Sequence, residues 1–142
     1  MATRNGSAEW RGDLKGGSGT VKVGEGVFEG SYSFSSRFEE GEGTNPEELL
    51  AAAHAGCFAM ALSLALTEAD HPPESINADA HVHLRQVDGL PTIARIDLEV
   101  TGSVPGLDDE AFSSYANKAK DGCVVSRALA GVPEITLNAR LA

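Results

Sequence analysis

Basic residues are scarce and unclustered. Eleven Lys and Arg stand against 21 Asp and Glu among 142 residues, for a formal net charge of −10 and a pI near 4.7. Without a basic patch, nucleic acid is not an expected partner. Cysteine is rarer still, with two residues in the whole chain. A secreted scaffold held by disulfides would carry more of them in a shorter sequence, and the opening residues Met1 to Gly6 lack the apolar stretch of a signal peptide. The expected compartment is therefore the cytosol. A membrane span is not expected either: the longest apolar stretch, Leu49 to Leu66, holds His54, Gly56, Ser63 and seven alanines, whereas a spanning helix takes about 20 strongly apolar residues. No Gly-rich phosphate loop joins a strand to a helix, since Gly16-Gly17-Ser18-Gly19 precedes a strand. No Gly-x-Ser-x-Gly elbow is present.

What is present describes an ordinary globular chain, 42% hydrophobic and 23% charged, of a length that buries roughly two-thirds of its unfolded surface in one core. One domain over residues 1–142 is expected, of α+β class. The first 38 residues read as a strand meander, with Ala8 and Trp10, then Val21 and Val23, then Tyr32, Phe34, Ser36 and Phe38 alternating with polar residues. In the last run this alternation turns Arg37 away from the aromatic face. Thr44-Asn45-Pro46-Glu47-Glu48 is the clearest helix start: Asn45 suits the N-cap, Pro46 the first turn, and Glu48 a capping box. That helix is expected to run to about Glu68, ahead of Asp70-His71-Pro72-Pro73, and to lie buried at the centre of the fold because it is apolar on nearly every side. Two strands follow, with Ile76, Ala78, Ala80, Val82 and Leu84 on one face and Ala94, Ile96, Leu98 and Val100 on one face of the next, joined as a hairpin at Asp88-Gly89. A second helix, capped by Asp108, is expected to end near a left-handed Gly122, followed by Cys123, a short turn or helix over Ser126 to Ala130, and a final strand with Ile135, Leu137, Ala139 and Leu141 alternating.

The two cysteines are the only candidate thiol pair, Cys57 within the apolar helix and Cys123, 66 positions later, at a helix boundary. Thiol chemistry needs a thiolate and a setting that stabilises it, and helix N-termini supply one such setting. Arg37 and Glu47, near Cys57 in sequence, complete the parts of an activated thiol site. Each residue also has a plainer reading. Cysteine packs as a small hydrophobe, Glu47 is a favourable charge in a first helical turn, and Arg37 is a solvated strand residue. On one straight helix the ten residues from Glu47 to Cys57 rise about 15 Å, so the two meet only if the first turn bends away or a second copy of the chain supplies its Glu47. A homodimer with composite sites is the favoured arrangement. His54, three residues before Cys57, suits either thiol activation or metal binding, and His81 and His83 share a strand face with Asp79 and Arg85, which is half a metal site at most.

The stretch from Arg37-Phe38-Glu39-Glu40-Gly41-Glu42-Gly43 through Thr44-Asn45-Pro46-Glu47-Glu48 to His54-Ala55-Gly56-Cys57-Phe58 resembles the signature of the OsmC/Ohr family of cysteine-dependent hydroperoxide reductases. Lys118 to Ser126, with Gly122-Cys123-Val124-Val125, is similar to that family's second-cysteine motif, and the likeness extends to Trp10-Arg11-Gly12-Asp13 and Glu134-Ile135-Thr136-Leu137. Val124 departs from the proline that related sequences often have there. The resemblance implies a peroxidatic Cys57, a resolving Cys123, and an activating pair of Arg37 and Glu47. Arg37 stands where the osmotically inducible OsmC branch places its arginine; the organic-hydroperoxide-resistance branch takes it from a segment nearer the N-terminus, which here reads Lys15-Gly16-Gly17-Ser18-Gly19-Thr20.

The implied fold is an intertwined α+β homodimer, and the implied chemistry needs neither cofactor nor metal. Cys57 takes an oxygen from a hydroperoxide, Cys123 closes a disulfide on the resulting sulfenic acid, and a small dithiol of lipoyl type reduces it. Organic peroxides are the expected substrates ahead of hydrogen peroxide, with Phe34, Phe38, Phe58 and Met60 as candidate lining. Two other readings remain open from sequence alone: a dimer whose interfacial cavity binds a ligand or metal without turnover, and a structural dimer with inert thiols.

Overall fold

The computed structural model describes residues 2–142, and these divide into two compact units with the boundary between Leu49 and Leu50. In the first, glycine-rich turns break the chain into three short antiparallel strands, β1 (Gly6–Arg11), β2 (Ser18–Val23) and β3 (Phe28–Tyr32), in the order β1-β2-β3. Gly19 lies between Trp10 and Tyr32 in register, and a Cβ there would meet the Tyr32 ring at 2.5 Å and the Trp10 ring at 2.8 Å. Only glycine lets those two rings close over the sheet, 5.3 Å apart.

The expected strand through Phe38 stops at Tyr32. Residues Phe34–Phe38 form a short helix, α1. Ser33 and Ser36 cap it reciprocally, each hydroxyl accepting from the other's backbone N–H, at 3.1 and 2.8 Å. The alternating phenylalanines then become an i, i+4 ring pair 5.0 Å apart. Four residues of spacing serve a helix as well as a strand, and the serine cap decides the outcome. Helix α2 (Pro46–Glu68) begins where expected, with Asn45 Oδ1 accepting from the Glu48 N–H at 2.8 Å. The capping box is half as expected: the Glu48 carboxylate accepts from the Thr44 hydroxyl at 3.0 Å.

From Leu50 onward α2 belongs to the second unit. His54, Phe58, Leu62 and Leu66, spaced by four, have zero exposure. Burial is confined to that stripe instead of extending all round, because Met60 and Leu64 are 77% and 60% exposed. By length and composition α2 would also suffice to cross a membrane, but its buried stripe packs into the core.

β4 (Ser75–Val87) and β5 (Leu90–Ser103) form the expected hairpin. Asp88 and Gly89 turn it with φ of 50° and 80°, the paired positive values a two-residue turn requires. Helix α3 (Asp109–Gly122) is capped by Asp108, whose carboxylate accepts from the Ala111 N–H at 2.8 Å. It ends without a left-handed glycine: Gly122 stays helical, and Cys123, with φ −60° and ψ 128°, bends the chain directly into α4 (Val124–Ala128). That bend ends one helix and starts the next, so the glycine termination is not needed. β6 (Ile135–Leu141) returns parallel to β5, making the sheet β4-β5-β6.

Central β5 turns Ile96, Leu98 and Val100 inward at zero exposure, α3 contributes Phe112, Ala116 and Ala119 at helical spacing, and Cys123 at its C-cap joins them. On the other face Asp97 accepts from Thr136 of β6, from Arg95 at 2.6 Å and from His83 of β4 at 2.7 Å. These bonds, Thr136 foremost, outweigh burial and hold the Asp97 carboxyl well below the usual carboxylate range.

Candidate active site

Arg37 and Glu47, ten residues apart, meet within the first unit. Arg37 occupies the last turn of α1, and Glu47 the first turn of α2. The Arg37 Nε donates to both carboxylate oxygens at 3.1 and 3.2 Å, and Nη2 donates to Oε1 at 2.8 Å. Asn45 sets the relation of the two helices: while its Oδ1 caps α2, its Nδ2 donates to the Ser36 carbonyl of α1 at 2.9 Å. Glu47 is 8% exposed, so a fixed anion clamps one edge of the guanidinium. Nη1 has no protein hydrogen-bond partner among the described residues.

A cavity of about 220 Å³ opens beside this arginine, lined also by Trp10, Leu14, Tyr32, Ser33, Phe34 and Phe38. Of the four residues expected to line an apolar pocket, Phe34 and Phe38 do so. Phe58 is instead fully buried in the core, and Met60 is largely exposed. Trp10, Leu14 and Tyr32 were not legible as lining, since their convergence depends on strand register and on the turn after β1.

The thiols meet within the second unit. Cys57 is partly buried on α2 and packs against the core cluster that contains Cys123, which is 1% exposed at the α3–α4 bend. Both are free. Burial pushes the Cys123 thiol up, but donors outweigh it: the backbone N–H of Ser126, the Cys57 thiol, the Ser126 hydroxyl and the Val125 N–H together hold it below its ordinary value. Cys123 is thus the N-cap of α4 through its backbone, which turns the chain from one helix into the next.

His54 is fully buried, and its Nε2 lies 2.7 Å from the Ser126 hydroxyl. Burial lowers its pKa and favours the neutral ring. Sequence spacing alone gave no sign of Ser126, which reaches His54 only through the fold. His83 is taken up by Asp97 and Arg85. Among the described residues, no group of three or more His, Cys, Asp and Glu is gathered as a metal site would require.

Comparison with known proteins bears on this arrangement. The family model described as "OsmC-like protein" matches residues 39–138. The chain is 48% identical over 139 residues to "Peroxiredoxin OsmC" of Escherichia coli strain K12, covering 97% of this chain and 96% of that protein. It is 34% identical over 98 residues to "Organic hydroperoxide resistance protein" of Xanthomonas axonopodis pv. citri, covering 68% and 67%. Its fold is similar to the crystal structure of an organic hydroperoxide resistance protein OsmC from Legionella pneumophila, with a TM-score of 0.77 and 22% identity over 99% of both chains.

Proposed function

Because the chain belongs to the OsmC-like family, we propose that its paired thiols carry a peroxidase cycle in which Cys57 is oxidised and Cys123 resolves it. The protein is a thiol-dependent hydroperoxide reductase that acts on organic hydroperoxides. The observation that supports the residue assignment is the packing of the two free cysteines, 66 positions apart in sequence, at one core cluster. The Cys57 thiolate attacks one oxygen of ROOH. The O–O bond breaks, the departing alkoxide takes a proton to leave as ROH, and Cys57 becomes a sulfenic acid. Cys123 then attacks that sulfur; the S–S bond forms, the S–O bond breaks, and hydroxide leaves as water after taking a proton. A small dithiol of lipoyl type reduces the disulfide by exchange.

Arg37 stabilises the Cys57 thiolate and the charge developing on the leaving oxygen, while Glu47 fixes the guanidinium so that its free Nη1 serves that charge. The aromatic cavity beside Arg37 supports a preference for organic substituents over hydrogen peroxide. The protein acts as a cytoplasmic homodimer, residues 1–142 of each copy forming one peroxidase domain, with the Arg37–Glu47 pair of one copy serving the thiols of the other. The exposed apolar residues Met60 and Leu64 of α2 support an interface there.

The test begins with fully reduced protein and one equivalent of cumene hydroperoxide. Both thiols should be lost as a single intrachain disulfide, seen by thiol titration and intact mass. Cys123→Ser should reduce one equivalent and stop at the sulfenic acid, and Cys57→Ser should reduce none. Turnover by Cys57→Ser would end the assignment.

A further inference from the structure

Among the described residues, His54 is the one fully buried ionisable side chain that the cycle above leaves without a task. It shares its stripe of α2 with Phe58, Leu62 and Leu66, where an apolar side chain would satisfy packing alone. Its Nδ1 is buried with no hydrogen-bond partner, while its Nε2 lies 2.7 Å from the Ser126 hydroxyl. That hydroxyl stands on the first turn of α4, three residues after the N-cap Cys123, and its donor character helps to hold the Cys123 thiol below its ordinary value. The four groups, His54, Ser126, Cys123 and Cys57, all belong to the unit 50–142.

We infer that His54 is a positioning residue for the resolving half of the cycle, acting through Ser126 to aim a hydrogen-bond donor at the Cys123 sulfur. The inference rests on the assignment of Cys123 as the resolving thiol. Hydrogen-bond accounting sets the direction of the relay. A neutral imidazole carries one ring proton. With the proton on Nδ1, a buried N–H would be orphaned, and Nε2 would draw the Ser126 hydroxyl proton toward itself and away from the sulfur. With the proton on Nε2, the orphan is a lone pair, the better tolerated of the two, and Nε2–H donates to Ser126 Oγ. The serine proton is then free to donate to Cys123.

A donor held on that sulfur favours the thiolate, the form that attacks. In the step it assists, the Cys123 thiolate forms an S–S bond with the Cys57 sulfenic sulfur. The S–O bond breaks and hydroxide takes a proton from solvent to leave as water. Cys123 is oxidised, and Cys57 is reduced from the sulfenic to the disulfide level. Losing the hydroxyl donor should slow this closure about tenfold, the scale of one hydrogen bond to a charged group.

Rapid mixing of the reduced full-length protein with cumene hydroperoxide separates the two phases, dimedone trapping reporting sulfenic acid and thiol loss reporting disulfide. In Ser126→Ala and in His54→Leu, disulfide closure should fall about tenfold relative to sulfenic acid formation. His54→Gln, whose amide nitrogen stands near the position of Nε2, should recover most of the closure rate. His54→Leu added to Ser126→Ala should slow closure no further, because the histidine acts only by orienting the hydroxyl that Ser126→Ala removes. Unchanged closure in Ser126→Ala would overturn the inference. So would equal slowing of both phases, or a His54→Leu effect that persists without the hydroxyl. Should His54→Leu fail to fold, Ser126→Ala together with His54→Gln decides the matter: slowed closure in the first and near-normal closure in the second uphold the relay, and any other pairing overturns it. Failure of the wild-type protein to form any Cys57–Cys123 disulfide would instead refute the underlying assignment.

Discussion

The two units of the chain are held together by different means. In 50–142 the fully buried side chains are mostly apolar, drawn from α2, β5 and α3, with both thiols packed at or in the same cluster. In 1–49 the buried side chains are mostly polar: Val21 is the one buried hydrophobic residue among the described residues, beside Ser36, Asn45 and Glu47. The first unit therefore relies on caps, strand register and an ion pair to hold an arginine in place, and the second on a hydrophobic core to hold two sulfurs near each other. Apolar packing tolerates small displacements poorly but is indifferent to pH, whereas a clamp of hydrogen bonds is directional and easily lost.

Substitutions in each unit test that contrast. The largest effect is expected for Phe112→Ala, which empties the centre of the second core and should cost about 3–5 kcal/mol in urea unfolding. Val21→Ala should cost about 1–2 kcal/mol, since much less packing depends on it. Next comes the clamp. Arg37→Met should slow sulfenic acid formation about a hundredfold while leaving the melting temperature of the protein within a few degrees, a pattern the core substitution cannot produce. Equal losses of rate and stability would show that the clamp is part of the scaffold. Asn45→Ala removes the cap of α2 and the strut to α1 together, and should lower stability by about 1 kcal/mol, with a decline in peroxide rate larger than that loss of stability explains.

The smallest effect belongs to Asp97, whose carboxyl is depressed by Thr136, Arg95 and His83. A depressed carboxyl stabilises the folded state above its unfolded pKa of about 3.9 and loses that contribution as pH falls below it. The stability gap between Asp97→Asn and the natural protein should therefore be widest near neutral pH and close in acid, as read from urea midpoints at about pH 7 and about pH 2.

Much of this was legible in the residues. Asn45-Pro46 and Asp70-His71-Pro72 bound α2, Asp88-Gly89 turns the hairpin, and Asp108 starts α3, because in each case the signal is local backbone chemistry. The short helix at Phe34–Phe38 was hidden because its aromatics fit either periodicity and the deciding contact is a serine capping its own turn. The parallel return of β6, the nearness of Cys57 to Cys123, and the link from His54 to Ser126 join residues far apart in sequence. Such contacts leave no local trace. The pairing of Arg37 with Glu47 was suggested by family likeness, and the structure adds which nitrogens are engaged and which one is free.

The 66 positions that separate the thiols also matter to the unfolded chain. A covalent link between Cys57 and Cys123 would close a long loop and deprive the denatured ensemble of conformations worth about 4 kcal/mol on a chain-entropy estimate. The oxidised protein should accordingly melt higher than the reduced one by several degrees in calorimetry. Each turnover then carries the protein between a tighter and a looser thermodynamic state, and its resistance to heat and proteolysis should rise whenever peroxide outruns the supply of dithiol.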